Sequence, residues 1–222
     1  MTQATDQATN QATDLSTRAR ELCQLAPVVP VIVIEDANDA IPLAEALVAG
    51  GLPVLEVTLR TPAALDAIRA MTRVKGGHVG AGSISNAQSF HAARDAGATF
   101  GVSPGTYLPI LDLAVTHDMP FLSGVATASE AMTLANHGFT VQKFFPAEIN
   151  GGAKALGAIG APLPDIQFCP TGGVSLANAP DYLRLKNVMC VGGSWVVPKD
   201  VIAAKDWAQI ETLAREAAAL SR

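Results

Sequence analysis

The chain is poor in charge, in aromatic rings and in cysteine, and each shortage narrows what it can be. Charged residues make up 16% of its 222 positions, against roughly 25% in an average soluble domain. A surface this poor in charge is expected to be partly covered, most simply by copies of the same chain. Net charge is −5 with no basic patch, so nucleic acid is not an expected partner. No apolar run approaches the roughly 20 residues of a membrane helix. No basic segment followed by an apolar core opens the chain, so neither membrane nor secretory route is expected. Cysteine occurs three times, at Cys23, Cys169 and Cys190, an odd count without metal-ligand spacing. Cys169 and Cys190 lie in apolar runs and read as buried thiols of a reduced, cytoplasmic protein. Of the four histidines, His78 opens a strand-like run, while His91, His117 and His137 fall on or beside helical stretches. No zinc site is legible in that arrangement, and no serine–histidine–acid set either. No metal and no cofactor are expected.

What is present begins with a repeat. Gln3 to Asp14 reads QATD, QATN, QATD, a polar low-complexity tail over residues 1–14 that is expected to stay without structure. From Leu15, apolar residues recur at Ala19, Leu22 and Cys23 with helical spacing. From Val28 onward, β-rich runs alternate with helical stretches. The runs are VVPVIVI, VLEVTL, HVGA, FGVS, FLSG, VQKFF, IQFCPT and VMCVGG, eight in all. Thr61-Pro62 and Ser175 supply helix-start signals, and the last helix is expected over about residues 206–220. Eight β-α units in a single domain over residues 15–222 predict an α/β fold of the closed (β/α)8 TIM-barrel type with an N-terminal helix. A doubly wound open sheet is the rival, but no GxGxxG follows the first strand.

Lys143 stands out. It sits in Val141-Gln142-Lys143-Phe144-Phe145-Pro146, a run that reads as the end of a buried strand. Lysine is almost never fully buried without a partner. Burial disfavours the charged form of an amine, and a neutral amine can form a Schiff base with a carbonyl substrate. The bland alternative is a lysine that snorkels to the rim. The second strand alternates Leu55, Val57 and Leu59 with Glu56, Thr58 and Arg60, so the polar set shares one face. That face is either an internal ion pair that fills space or chemistry at the strand ends. Lys143, Glu56 and Arg60 together form a complete set for a 2-keto acid: an iminium former, a proton carrier and a carboxylate fork. The last two strands end in Thr171-Gly172-Gly173 and Gly192-Gly193-Ser194. Diglycine turns let backbone N–H groups approach an anion, and loops after strands seven and eight are the usual phosphate site of a barrel. Gly80–Ser83 and Ser103–Gly105 place small hydroxyl-bearing turns at strands three and four.

The stretches ALVAGGLPVLEVTLRTPAALDAI, GAGS, VSPG, QKFFPAEINGG, FCPTGGVS and CVGGSWVVP together resemble the 2-keto-3-deoxy-6-phosphogluconate (KDPG/KHG) aldolases of class I. The resemblance runs from about Leu25 to the C-terminus. It implies a trimeric (β/α)8 barrel that cleaves KDPG reversibly to pyruvate and glyceraldehyde 3-phosphate in the Entner–Doudoroff route, with 4-hydroxy-2-oxoglutarate cleavage as a second activity. By the same resemblance, Lys143 is the Schiff-base lysine, Glu56 the acid/base and Arg60 the holder of the pyruvyl carboxylate. Ser83 and Pro104 fall among the pyruvate contacts. Thr171, Gly172, Gly173, Gly193 and Ser194 fall in the phosphate loops. The family pattern has threonine where this chain has Ser83, which keeps the hydroxyl and loses a methyl. The implied partners are a 2-keto acid, a phosphorylated aldehyde and two further copies of the chain. Two other readings stay open: a phosphosugar isomerase or epimerase on the same barrel, and a non-catalytic phosphometabolite-binding protein.

Overall fold

The computed structural model describes residues 3–221 of the chain. Among the described residues nine parallel strands alternate with helices, except that only Ser123 separates β5 from β6: β1 (Val28–Ile32), β2 (Val54–Thr58), β3 (His78–Gly82), β4 (Gly101–Val102), β5 (Phe121–Leu122), β6 (Gly124–Val125), β7 (Val141–Phe144), β8 (Gln167–Pro170) and β9 (Val191–Gly193). The expected run FLSG is divided at Ser123, whose carbonyl accepts the Lys143 N–H (3.0 Å) while Leu122's accepts the Ser103 N–H (3.1 Å).

The closed eight-stranded barrel expected from the sequence is not what forms. The strands make a six-stranded parallel half-barrel sheet in the order β5-β4-β3-β2-β1-β9, and a separate three-stranded sheet, β6-β7-β8. The gap between β8 and β9 has a covalent cause. Phe168 bridges to Val188, with Met189 N–H reaching the Phe168 carbonyl at 3.1 Å. The next donor along β8 should be residue 170, but that is a proline and has no N–H. The Val191 N–H turns instead to the Pro27 carbonyl (2.9 Å), and the two elements meet again only at the isolated Thr171–Gly192 bridge. Pro30 sits where β1 changes partner, pairing with β9 over Val28–Pro30 and with β2 from Val31.

Helix α1 (Gln3–Gln24) starts within the repeat. The tail expected to be unstructured is therefore helical from Gln3, and its first two residues lie outside those described. A four-residue sequence period is close to one helical turn. Ala12 is buried and meets Gly138, where a Cβ would sit 2.9 Å from the Ala12 Cβ. The Ser16 Oγ accepts the N–H groups of Thr140 and Val141, both at 2.9 Å. Helix α1 thereby caps the starting ends of the strands and floors the sheet's interior.

The remaining helices are α2 (Ala40–Ala49), α3 (Ala64–Met71), α4 (Ala87–Asp95), α5 (Leu108–Thr116), α6 (Ala128–Asn136), α7 (Gly152–Gly160), α8 (Ala179–Leu183), α9 (Lys199–Ala203) and α10 (Trp207–Ala218). Alternation along the strands sorts side chains into two cores. Leu55 and Val57 join the larger core under the helices, whereas Val54 joins a smaller inner cluster with Cys23, Phe100, Val102, Leu122, Cys169 and Cys190. Each fully buried Leu or Phe contributes about 1.5–3 kcal/mol relative to exposure. Two expected caps differ. The Thr61 hydroxyl donates to the Ile34 carbonyl (2.5 Å) and α3 begins at Ala64; the Asn178 side chain accepts the Ser175 N–H (2.7 Å) ahead of α8. Asp206 caps α10 by accepting the Gln209 N–H at 3.0 Å.

Candidate active site

Strand β7 carries Lys143 inward. Its neighbours alternate: the Gln142 amide turns outward to the carbonyls of Ala131 and Phe139 (both 2.9 Å), and Phe144 enters the outer core. Lys143 itself is 5% exposed. Its Nζ lies 3.2 Å from Oε1 of Glu56, which is 3% exposed, and 5.1 Å from the centroid of the Phe145 ring. Phe145, rather than Phe144, is thus the aromatic beside the amine. The pair is buried, ion-paired and stacked on a ring, so the snorkelling alternative does not describe this lysine. Gly82 makes room for Glu56, because a Cβ there would collide with the Glu56 carboxylate. The Thr58 hydroxyl, next along the same face, donates to the Ile32 carbonyl at 2.9 Å and is structural.

Above Lys143 opens a cavity of about 690 Å³ at the C-terminal ends of the strands. Arg60, Lys143, Thr171, Gly172, Gly173 and Ser194 all line it. Arg60 is exposed at the mouth and its Nε donates to the Ser83 Oγ at 3.2 Å. Among the described residues no carboxylate pairs with Arg60, so both terminal nitrogens of its fork can meet a substrate carboxylate. Ser83 has φ +63°, the left-handed region. A β-branched residue is a poor fit to that backbone, whereas serine keeps the hydroxyl without the branch.

The turn after β8 is shaped for an anion. Gly172 and Gly173 have φ of +99° and +79°. The Ala147 N–H donates to the Thr171 carbonyl (2.8 Å) and the Glu148 N–H to the Gly172 carbonyl (3.0 Å). In a trans peptide the N–H points opposite to the C=O. Anchoring those two carbonyls therefore turns the N–H groups of Gly172 and Gly173 the other way: Gly172's toward β9, where Thr171 bridges to Gly192, while among the described residues the Gly173 N–H has no hydrogen-bond partner. Gly192 rather than Gly193 lines the cavity; the α-carbon of Gly193 faces the Trp195 ring. Pro104 is exposed in the β4–α5 loop, its carbonyl packed against Gly124, and is not among the cavity's lining residues.

Two lining residues escaped the sequence reading. Lys199, the first residue of α9, and Glu35, just past β1, both reach the cavity wall and are exposed. Lys199 follows Ser194 by a short loop, and only the turn at Pro198 brings it back over the site. The wall thus carries three cations, Arg60, Lys143 and Lys199, against one carboxylate, Glu35. A chain of net charge −5 has concentrated positive charge here, which suits an anionic substrate.

Beneath Lys143, Cys169 is its register partner on β8. Its thiol is held well below the ordinary range, chiefly by hydrogen bonds from Cys190 and Cys23. All three cysteines are buried.

Known proteins place this geometry in a family. A family model for KDPG and KHG aldolase matches residues 19–213. The KHG/KDPG aldolase of Escherichia coli (strain K12) is 50% identical over 202 residues, covering 90% of this chain and 95% of that protein. The crystal structure of the 2-keto-3-deoxy-6-phosphogluconate aldolase of Zymomonas mobilis ZM4 with 3-phosphoglycerate superposes with a TM-score of 0.88 at 48% identity, covering 92% and 96% of the two chains. The Legionella pneumophila KDPG aldolase, with pyruvate captured at low pH as a covalent carbinolamine, gives 0.87 at 42% identity over 90% and 98%. The chain belongs to the KDPG and KHG aldolase family.

Proposed function

We propose that the chain is a class I aldolase and lyase that reversibly cleaves KDPG to pyruvate and glyceraldehyde 3-phosphate in the Entner–Doudoroff route. The observation that carries this reading is the buried Lys143–Glu56 pair, 3.2 Å apart beneath a cavity walled by Arg60 and the Gly172-Gly173 turn. Lys143 hands a proton to Glu56 and its amine attacks C2 of the keto acid, forming a carbinolamine. Loss of water, with Glu56 returning the proton to the departing hydroxyl, gives the iminium. Deprotonation of the C4 hydroxyl then breaks the C3–C4 bond. The bonding pair enters the iminium to form an enamine, and the phosphorylated aldehyde leaves. Protonation at C3 and addition of water release pyruvate and restore the amine, so the water lost is regained. The pyruvate carbinolamine of the Legionella protein is the adduct this chemistry forms on Lys143.

Arg60, steadied by Ser83, holds the carboxylate at C1, and the N–H groups of Gly172 and Gly173, with Ser194 and Lys199, receive the phosphate at the far end. We assign the aldolase domain to residues 15–222 and no chemistry to residues 1–14. The protein acts as a cytoplasmic homotrimer in this reading. The low charge content and the exposed apolar side chains of Ile149, Met132 and Leu176 support assembly, and three buried thiols suit a reducing compartment.

Borohydride reduction in the presence of pyruvate tests the chemistry. Peptide mapping should find the reduced adduct on Lys143, alone among the six lysines. An adduct on Lys154 instead, or none, overturns the assignment.

A further inference from the structure

One polar contact beside the site has no part in the chemistry above. Tyr182, on α8, is fully buried, and its hydroxyl donates to Oε1 of Glu148. A buried tyrosine hydroxyl must find a partner or incur a desolvation penalty. Here the partner is a carboxylate, and burial first, then that hydrogen bond, keeps the phenol protonated by raising its pKa.

Glu148 belongs to the loop between β7 and α7, and that loop touches the anion-shaped turn in three ways. The Ala147 and Glu148 N–H groups hold the carbonyls of Thr171 and Gly172, at 2.8 and 3.0 Å. The Glu148 side chain also fills the space behind Gly173, where a Cβ would lie 2.7 Å from the Glu148 Cβ and Cγ. Glu148 is exposed as a residue, so solvent competes for its carboxylate, and a flexible glutamate of this kind would otherwise sample several rotamers. Tyr182 singles out one. The Gly152 α-carbon lies close by, with room for a Cβ only 3.3 Å from Oε1 of Glu148, so the carboxylate is confined on two sides.

We propose that the Tyr182–Glu148 pair is a positioning strut that sets the Gly172-Gly173 turn for the substrate phosphate. It touches no reacting atom and acts through the turn. The inference rests on the aldolase reading, since it names what orients that reading's phosphate site. Its consequence is a division of labour within the cavity. Glu56 and Lys143 sit on β2 and β7, with Arg60 just past β2, and they do not depend on the strut. The two glycine N–H groups do, because a twist of either anchored peptide swings its donor away from the anion. A preorganised donor pair costs nothing to align when the ligand arrives; one that must be ordered on binding costs affinity for the phosphorylated substrate alone.

The test compares wild type, Tyr182→Phe, Glu148→Ala and Glu148→Gln on KDPG and on the same sugar acid without its phosphate. Glu148→Gln keeps an oxygen that accepts from Tyr182, so it serves as the conservative rescue. For Tyr182→Phe and Glu148→Ala, KM for KDPG and the inhibition constant of inorganic phosphate should each rise about tenfold, the weight of one hydrogen bond to a charged group. kcat on KDPG and kcat/KM on the unphosphorylated substrate should stay within about twofold. Glu148→Gln should recover most of the loss. Wild-type KM for KDPG in both disruptive variants overturns the strut. So does an equal loss on both substrates, which would mark a merely structural contact. Failure of the underlying aldolase reading shows separately, as a wild-type protein that forms no reducible adduct with pyruvate.

Discussion

Replacing Glu56 by glutamine exchanges one carboxylate oxygen for an amide nitrogen and leaves the volume almost unchanged. The consequences run through two channels that the geometry keeps apart. The first is stability. Glu56 and Lys143 have side chains only 4% and 7% exposed, with 3.2 Å between Oε1 and Nζ. Removing a buried ionic partner outright costs about 3–5 kcal/mol. Glutamine still offers an oxygen to Lys143, so the loss should be closer to that of one charged hydrogen bond, about 1.5–3 kcal/mol. For a chain of this size that lowers Tm by about 3–12 °C. The second channel is proton transfer, and losing the base there should cut turnover about 10²-fold or more. Pyruvate release followed by a coupled NADH assay reads the second channel, and a thermal melt reads the first. A double-mutant cycle with Lys143→Met separates them, because Glu56→Gln should be nearly neutral for stability once the ammonium is gone. A Glu56→Gln enzyme with a lowered Tm but turnover within about threefold of wild type would show that Glu56 only neutralises Lys143.

Three further outcomes follow from the same geometry. Gly173→Val places a β-branched side chain at φ +79° and against Glu148; it should erase most of the preference for phosphorylated substrate while the pyruvate adduct on Lys143 still forms, and a preserved preference would move the phosphate elsewhere. Lys199→Ala removes an exposed cation from the wall; KM for KDPG should rise about two- to fivefold at low salt, with the effect fading as salt screens it, and a salt-independent change would reject a charge role. Glu130 caps α6 by accepting from Ala126 N–H (2.8 Å), Thr127 N–H (2.9 Å) and the Thr127 hydroxyl (2.9 Å). Burial raises its pKa, but these bonds outweigh burial and hold it below the ordinary 4.5. A depressed carboxyl stabilises the fold above its ordinary pKa and loses that contribution as pH falls through the folded value. The Tm gap between wild type and Glu130→Gln should therefore be full above pH 4.5 and close on acidification below it; a gap that persists in acid would assign the effect to packing.

How legible each part of the site was in the sequence depended on the range of the interactions that build it. Lys143 could be read because a single charge interrupts an apolar run, and Glu56 with Arg60 because strand alternation is a two-residue rule. The diglycine turns were visible as turns, but not which glycine faces the cavity. The choice of Gly192 over Gly193 rests on the Trp195 ring occupying the other side. Lys199 was missed because a chain reversal at Pro198 brings it over the site, and no local pattern marks that return.

Sheet closure failed as an expectation for a related reason. Counting eight runs with even spacing says how many strands are available, not whether each adjoining pair completes its ladder. Completion is decided donor by donor. At β8 the missing N–H of Pro170 interrupts the pairing toward β9, which returns only as the single Thr171–Gly192 bridge, and Val191 spends its own N–H on Pro27. The break falls beside the Thr171–Gly173 turn, so the same proline that interrupts the sheet frees the following residues from strand geometry. Gly172 and Gly173 then take positive φ, and after the Thr171–Gly192 bridge the loop from β7 anchors the Gly172 carbonyl, which leaves the Gly173 N–H uncommitted to a neighbouring strand. A ladder that ran on past Thr171 would have used the Gly173 donor as a backbone pair as well. On this argument the incomplete barrel and the anion-shaped turn are one feature, and the sequence motif Cys169-Pro170-Thr171-Gly172-Gly173 encodes both.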